Sequence, residues 1–88
     1  MQILAALLLM SLVATSAYAQ SCDDESIQSV SDDGSIIIMI SGAVFQVNPV
    51  DQVDTALWLA ADDVLVCDDD KIINKDENGE TASVRRLR

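Results

Sequence analysis

The chain has 88 residues, with 15 acidic and 5 basic side chains, no histidine and a formal net charge of −10. That length holds one domain at most. The missing histidine removes Ser-His and Cys-His catalysis and the usual zinc ligand sets, and the negative field repels nucleic acid and anionic lipid.

The first segment, "MQILAALLLMSLVATSAYA", carries an apolar run from Ile3 to Ala14 and ends in Ala17-Tyr18-Ala19. A short apolar run before a small-x-small site predicts a secretory signal peptide, cleaved after Ala19. The run is shorter than the roughly 20 residues that span a bilayer. No Lys or Arg precedes it, so only the Met1 amino group supplies positive charge; a buried or membrane-anchoring helix is the other reading. Cleavage leaves residues 20–88 as a small exported β-domain, periplasmic or extracellular and free of the membrane. So small a core often needs a staple. Cys22 and Cys67 are the only cysteines, and in an oxidising compartment they are expected to form a disulfide. Closing that long loop stabilises by about 4 kcal/mol in the chain-entropy picture. Two free thiols or a two-ligand metal site are the alternatives.

The rest of the chain has short β-branched runs cut by turn signals. "ESIQSV" (Glu25 to Val30) predicts a first strand, and Asp33-Gly34 a tight turn. "IIIMI" (Ile36 to Ile40) is the strongest strand, and Ser41-Gly42 turns it into "AVFQV" (Ala43 to Val47). A two-residue loop there pairs Ile40 with Ala43, Ile38 with Phe45 and Ile36 with Val47. One face then carries Ile36, Ile38, Ile40, Ala43, Phe45 and Val47, all apolar, and is expected to be core. The other carries Ile37, Met39, Val44 and Gln46. It is also mostly apolar, which suits closure into a barrel or, failing that, an oligomer contact.

Asn48 is placed to cap a short helical turn with Pro49 first and Asp51 in its first turn. "TALWLAADD" is ambiguous. Val50, Val53 and Leu57 have helical spacing, whereas Leu57 and Leu59 around Trp58 fit a strand; a turn followed by a short strand is expected. A lone Trp in such a run is a core residue more often than a ligand platform, and its indole N–H needs a partner. "VLVC" (Val64 to Cys67) and "KIIN" (Lys71 to Asn74) predict strands around the Asp68-Asp69-Asp70 turn, and the segment from Thr81 closes the domain. There is no internal repeat at solenoid period and no low-complexity linker. The expected fold is all-β: an SH3-like or OB-like partly closed barrel of five or six short antiparallel strands with one disulfide.

"INKDENGE" (Ile73 to Glu80) resembles half of a calcium loop. Counted from Asn74, positions 3, 5 and 6 are Asp76, Asn78 and Gly79, but position 12 is Arg85 instead of a bidentate Glu. Asn78-Gly79 is also a strong hairpin signal, because both positions tolerate positive φ. A two-residue hairpin there pairs Glu77 with Glu80 and Ile73 with Val84. The repulsion between two facing glutamates leaves room for a weak cation contact at Asp76, Glu77, Asn78 and Glu80. Asp68, Asp69 and Asp70 form a second acidic turn, read as solvated or as a contact for a basic partner.

Other chemistries lack parts. A Cys nucleophile is consumed by the disulfide, three glycines form no phosphate loop, and two carboxylates hydrolyse glycosides only across a defined cleft. Beyond the signal segment, Phe45 and Trp58 are the only aromatics, too few for base stacking. Neither catalysis nor a cofactor is expected.

The stretch from Ala43 to Leu87 resembles a group of small exported bacterial proteins of unknown function. The shared motifs are Asp54-Thr55-x-x-Trp58, Asp63 with Val64 to Val66, and Ile73-Asn74, Gly79-Glu80 and Ala82 to Leu87. The last departs in spacing at Ser83-Val84-Arg85-Arg86. The resemblance implies an exported β-domain from a bacterium and no activity.

The expected function is that of a non-catalytic protein-binding or accessory module of the envelope. Its expected contacts are Asp68, Asp69, Asp70, Ile37, Met39 and Val44. A secreted inhibitor of a basic enzyme and a weak cation-binding module are the alternatives.

Overall fold

The computed structural model describes residues 21–88. The segment read as a signal peptide, residues 1–19, lies outside the described residues, as does the domain's first residue, Gln20. Six strands form a closed antiparallel barrel: β1 (Cys22–Val30), β2 (Ile36–Met39), β3 (Val44–Val47), β4 (Asp63–Cys67), β5 (Lys71–Asn74) and β6 (Glu80–Arg86). One helical turn, α1 (Gln52–Thr55), follows a 3-10 turn (Pro49–Asp51) between β3 and β4. The expected all-β barrel is present, and its closure is complete.

The barrel order β1-β2-β3-β6-β5-β4 joins two three-stranded meanders edge to edge. They correspond in register. Ile27 opposite Met39 and Ile37 opposite Phe45 in the first match Val64 opposite Asn74 and Ile72 opposite Ala82 in the second. The turns correspond too, as "VSDDGSII" and "VCDDDKII", each ending on a positive φ, 76° at Gly34 and 63° at Asp70. This pseudo-repeat escapes a sequence reading because equivalent positions are unevenly spaced: Ile27 to Ile37 is 10 residues against 8 from Val64 to Ile72, and Ile37 to Phe45 is 8 against 10 from Ile72 to Ala82. The meanders meet along β3–β6, where Val47 faces Val84, and along β1–β4, where Cys22 faces Cys67. A Cys22–Cys67 disulfide, spanning 45 residues of sequence, closes the second seam.

The core is a ring of inward side chains: Ile27, Ile37, Met39, Phe45, Val47, Val64, Ile72, Ala82 and Val84. Each large aliphatic among them stabilises by about 1.5–3 kcal/mol through burial. Here one expectation is overturned. The two-residue loop expected from the sequence places Ile37 and Met39 on an outer face available to a partner, yet both are 0% exposed. The cause is the β2–β3 loop, which holds three residues. Met39 N–H donates to Ala43 O and Gly42 N–H to Met39 O, with Gly42 at φ 99°. Ile36 therefore faces Gln46, Ile37 faces Phe45 and Ile38 faces Val44. A slip of one residue moves every side chain of a strand to the other face. Ile36 and Ile38 are half-buried on the outside, and Ile40 is exposed in the turn.

The β5–β6 hairpin also differs from expectation. Its loop has five residues, so Asn74 faces Glu80 and Ile73 faces Thr81. Glu77 does not face Glu80. Asn74 Oδ1 accepts from Asp76 N–H and starts a 3-10 turn, Lys75–Glu77. Asn78 and Gly79 do take the expected positive φ, 56° and 77°.

Candidate functional site

Residues 48–62 leave β3, cross a barrel mouth and return to β4. Pro49 stands at the first position of the 3-10 turn, as expected, but Asn48 makes no side-chain cap. Gln52 Nε2 instead anchors the turn by donating to Val47 O at 3.0 Å. No strand forms around Trp58; α1 and two further turns take its place. The segment is held by its inward side chains. Thr55 Oγ1 donates to Gly34 O at 2.7 Å. Trp58 Nε1 donates to Glu80 Oε1 at 2.8 Å. Asp62 Oδ2 accepts from Leu59 N–H at 3.0 Å and from Asn74 Nδ2 at 2.9 Å. Trp58 is buried, as expected of a core residue.

Asn74 is fully buried at the register position that Met39 takes in the other meander. A polar group there is tolerable because both ends of its amide are bonded, to Asp62 and to Asp76 N–H.

With Thr55, Trp58 and Asp62 turned inward, the residues of opposite phase face solvent. Val50, Val53 and Leu57 are 74%, 73% and 74% exposed. Val50 stands on the 3-10 turn, Val53 on α1 and Leu57 in the turn that follows, with the three-and-four spacing of a helical face. Such a face is normally buried; here it points outward while the hydroxyl of Thr55 points in. Leu59 is also exposed. The sequence shows the spacing but not its direction.

Acidic residues lie on and beside this segment. Asp51 and Asp54 belong to it, and Asp51 Oδ2 also accepts from Ser83 N–H on β6 at 2.9 Å. Asp32 and Asp33 sit on the β1–β2 turn, which touches α1 through Gly34. Asp33 Oδ1 accepts from Ser35 Oγ, Ser35 N–H and Ser31 Oγ. The two Ser35 bonds, then the Ser31 bond, lower its pKa from 3.8 to about 2.

The other expected site residues are placed apart. Asp68, Asp69 and Asp70 are exposed in the β4–β5 turn, beside the disulfide. Val44 is half-buried on the outer side of β3. Asp76 Oδ2 accepts from Asp63 N–H at 2.8 Å, and Glu80 holds Trp58, so these two carboxylates serve internal donors. Glu77 is half-buried and Asn78 exposed. Among the described residues no group of three or more His, Cys, Asp or Glu is placed to hold a metal ion.

Among the described residues, open clefts on the barrel include two beside the residues above. One, of about 320 Å³, runs between the 3-10 turn and the β3–β6 seam, where Arg85 donates to Gln46 Oε1. The other, of about 590 Å³, contains Asp24, Asp63 and Lys75. Asp24 accepts from Lys75 Nζ at 2.7 Å, and this bond holds the ammonium above its usual range.

The chain matches no protein-family model, no curated protein and no solved structure.

Proposed function

We propose that this chain is a small exported module that binds a protein partner and performs no catalysis. The observation that carries the reading is the outward apolar stripe of residues 50–57 on a barrel whose interior is filled by its own side chains. Contiguous exposed apolar surface with a polar rim is characteristic of protein contact sites. The disulfide is consistent with an oxidising compartment. The net charge of −10 selects a basic partner and speeds its encounter. The same charge suits a secreted inhibitor of a basic enzyme, and the identity of the partner separates the two.

The test is affinity capture from a bacterial envelope extract with the oxidised protein, at low and high salt, with calcium and with chelator. The expected result is a basic protein retained at low salt under both metal conditions. Retention of no protein overturns the reading. Retention only with calcium overturns it in favour of a cation-dependent module at Asp76, Glu77, Asn78 and Glu80.

A further inference from the structure

Resting on that reading, we infer that the stripe Val50, Val53 and Leu57 with its rim of Asp32, Asp33, Asp51 and Asp54 is the docking site, and that its occupant is a cationic amphipathic helix of the partner.

Three features of the surface lead there. First, Val50 on the 3-10 turn, Val53 on α1 and Leu57 just past it are all exposed at the three-and-four spacing by which amphipathic helical segments face one another. Second, the stripe is free of internal duty. Thr55, Trp58 and Asp62 hold the segment to the barrel, whereas Val50, Val53 and Leu57 are about three-quarters exposed. Third, charge selects the occupant. No Lys or Arg precedes Lys71 in the sequence, so neither residues 48–62 nor the β1–β2 turn supplies a cation. Arg85, which lines the cleft beside Pro49 and Gln52, is engaged by Gln46 Oε1. A second copy of the chain would bring like carboxylates together across the contact, with −10 on each side. An anionic bilayer meets the same repulsion. A helix with Leu-like residues on one face and Lys or Arg flanking them meets the ridge with its apolar face and the rim with its charges.

The probe is a synthetic amphipathic peptide of Leu and Lys, about 18 residues and so roughly 27 Å long as a helix. Its Leu/Glu counterpart and a Lys/Ser peptide of equal charge are the controls. The protein is the full chain expressed for export and purified with its disulfide intact. Binding is followed by backbone amide shifts and by titration at two salt concentrations. The Leu/Lys peptide is expected to bind, with shifts centred on residues 50–57 and affinity falling as salt rises. Val53→Ser with Leu57→Ser is expected to weaken it at least tenfold, about 1.4 kcal/mol. Ile40→Ser, at an exposed isoleucine in the distant β2–β3 turn, leaves it unchanged. Because positions 53 and 57 are exposed, the thermal midpoint and Trp58 emission of the double variant stay those of the parent. Val50→Ser alone provides a second, milder variant.

Equal binding of the Lys/Ser peptide, shifts centred on Asp68–Asp70, binding of the Leu/Glu peptide, or self-association through the ridge each overturns the inference. So does the absence of peptide binding. The capture experiment, repeated with the double variant, separates the two readings. A partner held equally by parent and variant overturns the ridge and leaves the binding module standing. Retention of nothing by the parent overturns both.

Discussion

Thr55 and Gly34 touch so closely that a Cβ on Gly34 would lie 2.7 Å from Thr55 Oγ1, 2.4 Å from Gln52 O and 2.6 Å from Ala56 N. Their hydrogen bond ties the crossing segment to the β1–β2 turn. Gly34 also has φ 76°. Gly34→Ala therefore meets both backbone strain and a collision with main chain that cannot swing aside. Gly79 has nearly the same φ, 77°, but open space around it. Gly79→Ala is expected to cost about 1–2 kcal/mol from conformation alone, and Gly34→Ala clearly more. Urea denaturation midpoints of the two variants compare them directly; equal losses would refute the close-packing account.

Trp58 is the only tryptophan, so its fluorescence reports the crossing segment alone. At 3% exposure it should emit at short wavelength and resist acrylamide quenching. Glu80→Ala leaves the indole N–H without its acceptor, at a cost of about 1–3 kcal/mol. Trp58→Ala opens a cavity and costs about 3–5 kcal/mol. Red-shifted, readily quenched emission from the parent would contradict the placement of the segment.

Asn74→Asp puts a second carboxylate against Asp62 Oδ2, which Asn74 Nδ2 now contacts at 2.9 Å. Breaking a buried polar pair in this way costs about 3–5 kcal/mol. Like charges at such distance raise carboxylate pKa values. The penalty is therefore largest at neutral pH and shrinks as pH falls toward about 4, where carboxyls of ordinary pKa protonate. Thermal midpoints of parent and variant should converge on acidification; a constant gap would show that charge is not the cause.

Asp33 sets an acid limit of its own. Its folded pKa is about 2 against an ordinary 3.8, so protons bind the unfolded form more readily. The stability it contributes is complete above about 4 and is lost as pH falls through about 2. Asp33→Asn should flatten the fall in stability across that window and change little at pH 7 in its slope. A carbon-detected titration that finds Asp33 at its ordinary pKa would remove the Ser31–Asp33–Ser35 network from the account.

Reduction of Cys22–Cys67 opens a closure of 45 residues, worth about 4 kcal/mol in the loop-entropy picture. The denaturation midpoint should drop by a corresponding amount, with amide exchange rising first in the half of β1 that pairs with β4. An unchanged midpoint on full reduction would show that the barrel seam holds without the bond.

The sequence by itself determined the parts whose cause is local. Pro49 fixes its own φ and Asn78-Gly79 tolerate positive φ, so the helical turn and the place of the last chain reversal were legible, but not that hairpin's register. The β-branched runs from Ile36 and Lys71 and the lone pair of cysteines made an all-β, disulfide-closed domain readable as well. Tertiary structure decided what depends on counting and direction. One extra loop residue at Ile40-Ser41-Gly42 buried Ile37 and Met39 in place of Ile36 and Ile38. Asn74, read as the last residue of a strand, also capped a turn and lengthened the loop before Glu80. The stripe Val50, Val53 and Leu57 was visible as a spacing, but spacing does not say which side of a helix meets the barrel. That side was set by Thr55, Trp58 and Asp62, whose partners Gly34, Glu80 and Asn74 stand 21, 22 and 12 residues away in the chain. Bonds over such separations exist only once the barrel has closed, and they are what turned the apolar face to solvent.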